Sequence, residues 1–138
     1  MMGTAGKRGM DSRSTQVALT MKPYEKFAAW QLCDRLAVEV YAATRGWPHD
    51  ERFGLISQAR RAAVSAATNI AEGTAKRGSS EFRRYLDIAN GSLSELGYLL
   101  GLAQRLGFMP KEQWDMIEAH RDAAGRATWL LYSGMSKS

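Results

Sequence analysis

Arginine, serine, asparagine and glutamate recur at helical spacing in QARRAAVSAATNIAEG, residues 58–73, where such groups could hold an anion or pair with a neighbouring helix. Gln58, Arg61, Ser65, Asn69 and Glu72 follow one helical face, and Ala59, Ala63, Ala66, Ile70 and Gly73 follow another. One face packs and the other must pair. Basic residues also concentrate here. From Arg52 to Arg84 the chain carries Arg52, Arg60, Arg61, Lys76, Arg77, Arg83 and Arg84 against only Glu72 and Glu81. Arginine pairs phosphate in bidentate fashion, and a link Lys76-Arg77-Gly78-Ser79 that enters a helix offers backbone N–H groups as well as charge. Phosphate contact is therefore assigned to Arg60, Lys76, Arg77, Arg83 and Arg84.

Catalytic patterns are missing from the sequence. A di-iron bundle needs a glutamate three residues before each inward histidine, and His49 and His120 have Gly46 and Ile117 in those positions. Both histidines read as surface or boundary residues. No phosphate loop, nucleophile elbow or zinc spacing occurs. The expectation is a non-enzymatic protein with no catalytic residue, no metal and no cofactor. The single cysteine, Cys33, lies in a helical pattern and reads as a small buried hydrophobe. The four tryptophans read as packing groups.

Four helices must position these residues. Phe27, Trp30, Cys33, Leu36, Ala37, Val40 and Tyr41 recur at helical spacing to about Thr44, and Gly46, Trp47 and Pro48 end that helix. A second helix is expected from about Asp50 to Ala71, with Gly73 as its stop. A third begins with Ser79 or Ser80 as cap and carries Phe82, Leu86, Ala89, Leu93, Leu96, Leu100 and Ala103, the alternating four-three spacing of a bundle seam. A second stripe on it, Tyr85, Ile88, Leu99, Leu102 and Leu106, is too apolar for a solvated face. Gly107 ends it. Pro110 suits the first turn of a fourth helix carrying Trp114, Ile117, Ala124, Thr128, Trp129, Leu131 and Tyr132.

The short links predict an all-α, up-down-up-down antiparallel four-helix bundle over residues 23–134. Residues 1–22 read as a disordered leader rich in Gly, Ser, Thr and Arg, and residues 135–138 as a flexible tail. If the second and third helices turn near Lys76, Arg61 falls beside Ser92 and Glu95, and Asn69 and Glu72 fall near Ser80, Arg83 and Arg84. Arg61, Ser65, Asn69, Glu72, Ser92 and Glu95 are then a polar network or a subunit interface, or they line a ligand site.

The chain has 138 residues and a net charge of +5, which permits nucleic-acid partners without requiring them. No apolar run is long enough to span a membrane, and the first 20 residues lack the apolar core of a signal peptide, so a cytoplasmic protein is expected.

From Tyr24 to Tyr132 the chain resembles the four-helix-bundle family named after the 23S rRNA intervening sequence. Carrying the resemblance are Trp30 with Tyr41, Gly54-Leu55 with Gln58, Arg60 to Ser65, and Asn69-Ile70-Ala71-Glu72-Gly73. It continues through Ser80 to Leu86, Ala89, Gly91-Ser92-Leu93 and Glu95-Leu96. The resemblance implies a small cytosolic bacterial protein that assembles as a homopentameric ring. A related branch, the accessory protein of diversity-generating retroelements, is similar in fold, basic, and works with a reverse transcriptase and nucleic acid. RNA or DNA, and a reverse transcriptase or other nucleoprotein, are thus the implied partners. Two departures stand out: Gly97 replaces a second acidic residue, and Ala66-Ala67 replaces a larger apolar residue and a proline. The competing expectation is a structural or protein-interaction module with no nucleic-acid activity.

Overall fold

The computed structural model describes residues 21–135, so most of the leader and tail lies outside the described residues. Four helices make up the domain: α1 (Ala28–Thr44), α2 (Leu55–Thr74), α3 (Ser79–Arg105) and α4 (Lys111–Ser133). Short 3₁₀ turns at Pro23–Lys26 and His49–Glu51 precede α1 and α2. No strand occurs among the described residues. Helix α1 packs on α2 and α4, and α3 packs on the same two, while neither diagonal pair makes close contact. That is the antiparallel up-down-up-down four-helix bundle.

The seam of α3 is buried as its spacing predicts, with Leu86, Ala89, Leu93, Leu96, Leu100 and Ala103 all inside. Facing it, α2 presents Ala59, Ala62, Ala63, Ala66 and Ile70. Alanine is what lets these two helices lie close together. Cys33, Leu36 and Val40 of α1 and Ile117, Ala124 and Thr128 of α4 complete the core.

Helix α2 is displaced from the expected span of Asp50 to Ala71. Asp50 and Glu51 lie in the preceding 3₁₀ turn, and Glu51 Oε1 accepts the Leu55 backbone N–H at 2.9 Å, which caps the helix one turn later. At the other end Gly73 does not stop the helix. It is buried within it, where an added Cβ would stand 2.8 Å from Phe82 Cδ1, so the glycine admits α3 to close contact. Ala66-Ala67 is buried too, and the helix runs through it to Thr74.

Reversal into α3 is made by Gly78, not by a serine cap. Gly78 is the N-cap at φ +85°, a region that side chains rarely enter, and Ser79 is already helical. Gly107, at φ +81°, closes α3 as expected. Its N–H donates to the Gln104 carbonyl and that of Phe108 to the Ala103 carbonyl, the pair of bonds that ends a helix in a Schellman motif. Pro110 stands at the N-cap of α4, just outside its first turn.

Candidate anion-binding surfaces at the two poles

The antiparallel topology gathers the chain's connections at two poles. The turn pole holds the Ala75–Gly78 link, the entering residues Lys22 to Phe27 and the end of α4. Phe27 meets Phe82 edge-on at 5.7 Å, and Arg83 Nη1 donates to the Met135 carbonyl at 3.0 Å. The loop pole holds the α1–α2 and α3–α4 connections, where Trp47 packs on Phe108 at 6.1 Å.

At the turn pole the basic side chains sit on aromatic rings. Lys76 Nζ lies 5.4 Å and the Arg84 guanidinium 4.7 Å from the centre of the Tyr85 ring, and Arg83 lies 4.1 Å over Tyr132. Tyr132 in turn stacks on Trp129, which is 57% exposed. Arg84 also pairs with Glu81 at 3.5 Å across solvent-exposed surface. Arg77 has no carboxylate partner among the described residues. Lys22 and Lys26, which no helical spacing marks, join the same pole because the chain enters α1 there. The pole thus collects Lys22, Lys26, Lys76, Arg77, Arg83 and Arg84 against Glu25, Glu72 and Glu81.

Arg60 does not belong to this group. It lies fourteen residues before Thr74, where α2 ends, about 21 Å at the helical rise, and so stands near the loop pole. There Arg60 Nε donates to Thr44 Oγ1 at 2.8 Å and its guanidinium covers the Tyr41 ring at 4.5 Å. Thr44 Oγ1 passes a bond on to the Val40 carbonyl at 2.8 Å. A buried threonine at the end of α1 thereby fixes an arginine of α2.

The six residues of the expected polar network divide. Ser65 and Ser92 bond across α2 and α3 at 2.8 Å, and Asn69 Nδ2 donates to Ser65 Oγ at 3.0 Å. Arg61, Glu72 and Glu95 stay outside it. Arg61 donates within its own helix to Ser57 Oγ at 3.2 Å, and all three are exposed. The cause is facing: with Ser65 opposite Ser92, Arg61 falls level with Glu95 and Leu96, but the Arg61 and Glu95 side chains are both exposed and form no pair.

Gly97 acquires a clear role. An added Cβ would stand 2.8 Å from Arg121 Cζ, so the glycine leaves room for this side chain of α4 to lie against α3. Arg121 Nη1 donates to the Leu93 carbonyl at 3.3 Å, and Glu118 accepts two further bonds from it at 2.7 and 2.9 Å. The Glu118 bonds push the guanidinium pKa up and keep it charged. An arginine on α4 therefore makes a polar contact at this position of α3. His120 is likewise at a boundary, its Nδ1 2.6 Å from Glu39 Oε2 across α1 and α4, while His49 is exposed in its 3₁₀ turn. Cys33 is fully buried, and burial pushes its thiol up to about 11 despite a hydrogen bond with Thr128. Among the described residues no group of three or more His, Cys, Asp or Glu is placed to hold a metal.

These features define a small antiparallel bundle with arginine-rich ends and no assembled catalytic constellation among the described residues. The chain belongs to the 23S rRNA-intervening sequence protein family, whose model matches residues 25–128. It is similar in fold to the crystal structure of a protein of unknown function from the S23 ribosomal protein family of Bacteroides thetaiotaomicron. The TM-score is 0.69 at 20% identity, covering 76% of this chain and 98% of that one. Among curated proteins none matches. No helix among the described residues is long and apolar enough to cross a membrane.

Proposed function

We propose that the protein is a non-enzymatic, cytoplasmic member of its family that assembles as a homopentameric ring and binds nucleic acid, alone or within a nucleoprotein such as a reverse-transcriptase complex, through its turn pole. The observation that carries the binding reading is the collection of Lys22, Lys26, Lys76, Arg77, Arg83 and Arg84 at one end of the bundle. Phosphate contact there is independent of sequence and weakens steeply with salt, because each neutralised phosphate releases counterions. Arg83 is partly committed to Met135 and Tyr132, and Arg84 to Glu81, so Lys76 and Arg77 make the principal contacts.

A ring needs two different faces on each subunit that are complementary to each other. Two separate apolar faces support this reading. One is the α1–α2 groove around Trp30, Ala37, Val38 and Val64, and the other is the exposed set of Ile88 and Tyr98 on α3 with Leu106 at its C-cap. Closing the ring would repeat the basic pole about the symmetry axis and raise its field.

Binding of RNA and DNA at about 50 and about 200 mM salt separates this reading from a purely structural module. The wild type is expected to bind at low salt and to lose affinity steeply at high salt, with Lys76→Glu/Arg77→Glu weakened throughout. Absence of binding at low salt would leave the interaction module as the better account. A monomer mass by light scattering would overturn the ring.

A further inference from the structure

At the loop pole a cleft of about 380 Å³ opens between the end of α1 and the start of α2. Arg52, Arg60 and Arg61 line it together with Ser57, Tyr41 and Phe53, and no carboxylate does. Each guanidinium is already held. Arg60 is fixed by Thr44 and Tyr41, Arg61 donates to Ser57 Oγ at 3.2 Å, and Arg52 lies 4.8 Å over the Phe53 ring. Glu51, the acid next in sequence, is used elsewhere, since its Oε1 accepts the Leu55 N–H. Arg45 and Arg52 line the adjoining hollow, again without a carboxylate.

Like charges gathered without a counter-charge repel one another, and an anion reaching all three arginines would relieve that repulsion. Guanidinium groups that line one cleft from a single turn of α2 and from the loop before it suit an anion with several oxygens in different directions, which is phosphate rather than a single carboxylate. A second feature adds an organic part to the ligand. Phe53 is 86% exposed beside these arginines, so its ring offers a surface on which a flat group can stack.

We propose that this cleft binds a nucleotide unit, with its phosphate on Arg52, Arg60 and Arg61 and its base stacked on Phe53. The site lies on the opposite pole from the nucleic-acid surface proposed above and does not depend on it. A free nucleotide and one unit of a single strand offer the same chemistry.

Calorimetric titration of the full-length protein at low salt tests the site with adenosine monophosphate, inorganic phosphate and an oligoadenylate of about ten residues. Adenosine monophosphate is expected to bind, and Arg52→Ala/Arg61→Ala to weaken it by about tenfold or more. Both arginines are exposed, so the double variant should retain its helical circular dichroism. Phe53→Ala should weaken adenosine monophosphate severalfold and leave inorganic phosphate unchanged. Lys76→Glu/Arg77→Glu should leave adenosine monophosphate unchanged, which separates this site from the turn pole. Equal molar affinity for monophosphate and oligoadenylate supports a free nucleotide, and much tighter oligoadenylate supports a strand.

Three results would overturn the proposal. They are no binding of any probe at millimolar concentration, tighter binding of a hexaglutamate peptide than of adenosine monophosphate, and a fall in assembly mass in Arg52→Ala/Arg61→Ala. The last would make the cleft a subunit contact.

Discussion

At the turn pole the cations lie on the outer faces of Tyr85 and Tyr132, while at the loop pole they line a cleft between two helices and are tied to Thr44 and Ser57. Both poles draw on the same basic stretch of sequence. Helix α2 is long enough to hold Arg60 near one pole and the link with Lys76 at the other, so charges that read as one patch become two surfaces with different chemistry. The poles also close differently. Trp47 is buried against Phe108 at the loop pole, whereas at the turn pole Phe82, which meets Phe27, comes close only because Gly73 has no side chain.

The largest expected effect tests that second difference at the loop pole. Trp47→Ala removes a buried ring packed on Phe108 and should lower unfolding stability by about 3–5 kcal/mol in a denaturant titration. A cost below about 1 kcal/mol would mean that the pole is not closed by this ring. At the turn pole the complementary change adds volume. Gly73→Val drives a branched side chain into Phe82 and Tyr85 and should cost about 1–3 kcal/mol, more if α2 and α3 cannot part. A stabilised Gly73→Val protein would show that the close approach is not required and that helix propensity governs the site instead.

Periodicity made the four helices and the α3 seam legible, because a bundle buries one stripe of each helix and the stripe is written in the spacing. The ends were less legible. Gly73 reads as a stop when only local conformational cost is weighed, yet its lack of a side chain serves tertiary contact with Phe82. Glu51 reads as a first-turn acid, yet it caps from outside the helix. Among the site residues, Ser65, Asn69 and Ser92 were found by spacing because their bonds run within and between two helices joined by a short link. Arg61 and Glu95 lie outside the Ser65–Ser92 pair because both side chains are exposed, and which way a helix face turns is not written in spacing along that helix. The arginine cleft had no local signal, since it depends on Tyr41 and Thr44 of a different helix. Lys22 and Lys26 were missed for a similar reason: only chain entry places them.

A smaller effect checks the seam between α1 and α4, in the half of the bundle nearer the turn pole. The Cys33 thiol ionises near 9.0 when unconstrained and near 11 in the folded protein, so the fold keeps its proton longer. Stability from this group is complete below pH 9 and is lost as pH rises toward 11. By pH 10 the loss should be on the order of 1 kcal/mol, read as the difference in pH dependence between the wild type and Cys33→Ala. Identical slopes for the two proteins would place the thiol in contact with solvent.

The smallest stability effect carries the most functional information. Arg77 is exposed at the turn pole with no carboxylate partner among the described residues, so Arg77→Ala should change unfolding stability by no more than about 0.5 kcal/mol. If Arg77 neutralises one phosphate, the same variant should reduce the salt dependence of nucleic-acid binding by about one unit in the slope of log affinity against log salt. Arg61→Ala, equally exposed but at the loop pole, should leave that slope unchanged if a nucleic acid occupies the turn pole alone. Equal loss of slope in both variants would mean that one strand reaches both poles. The division between the two surfaces would then describe the folded chain but not its binding, and the cleft around Phe53 would be one step of a longer path.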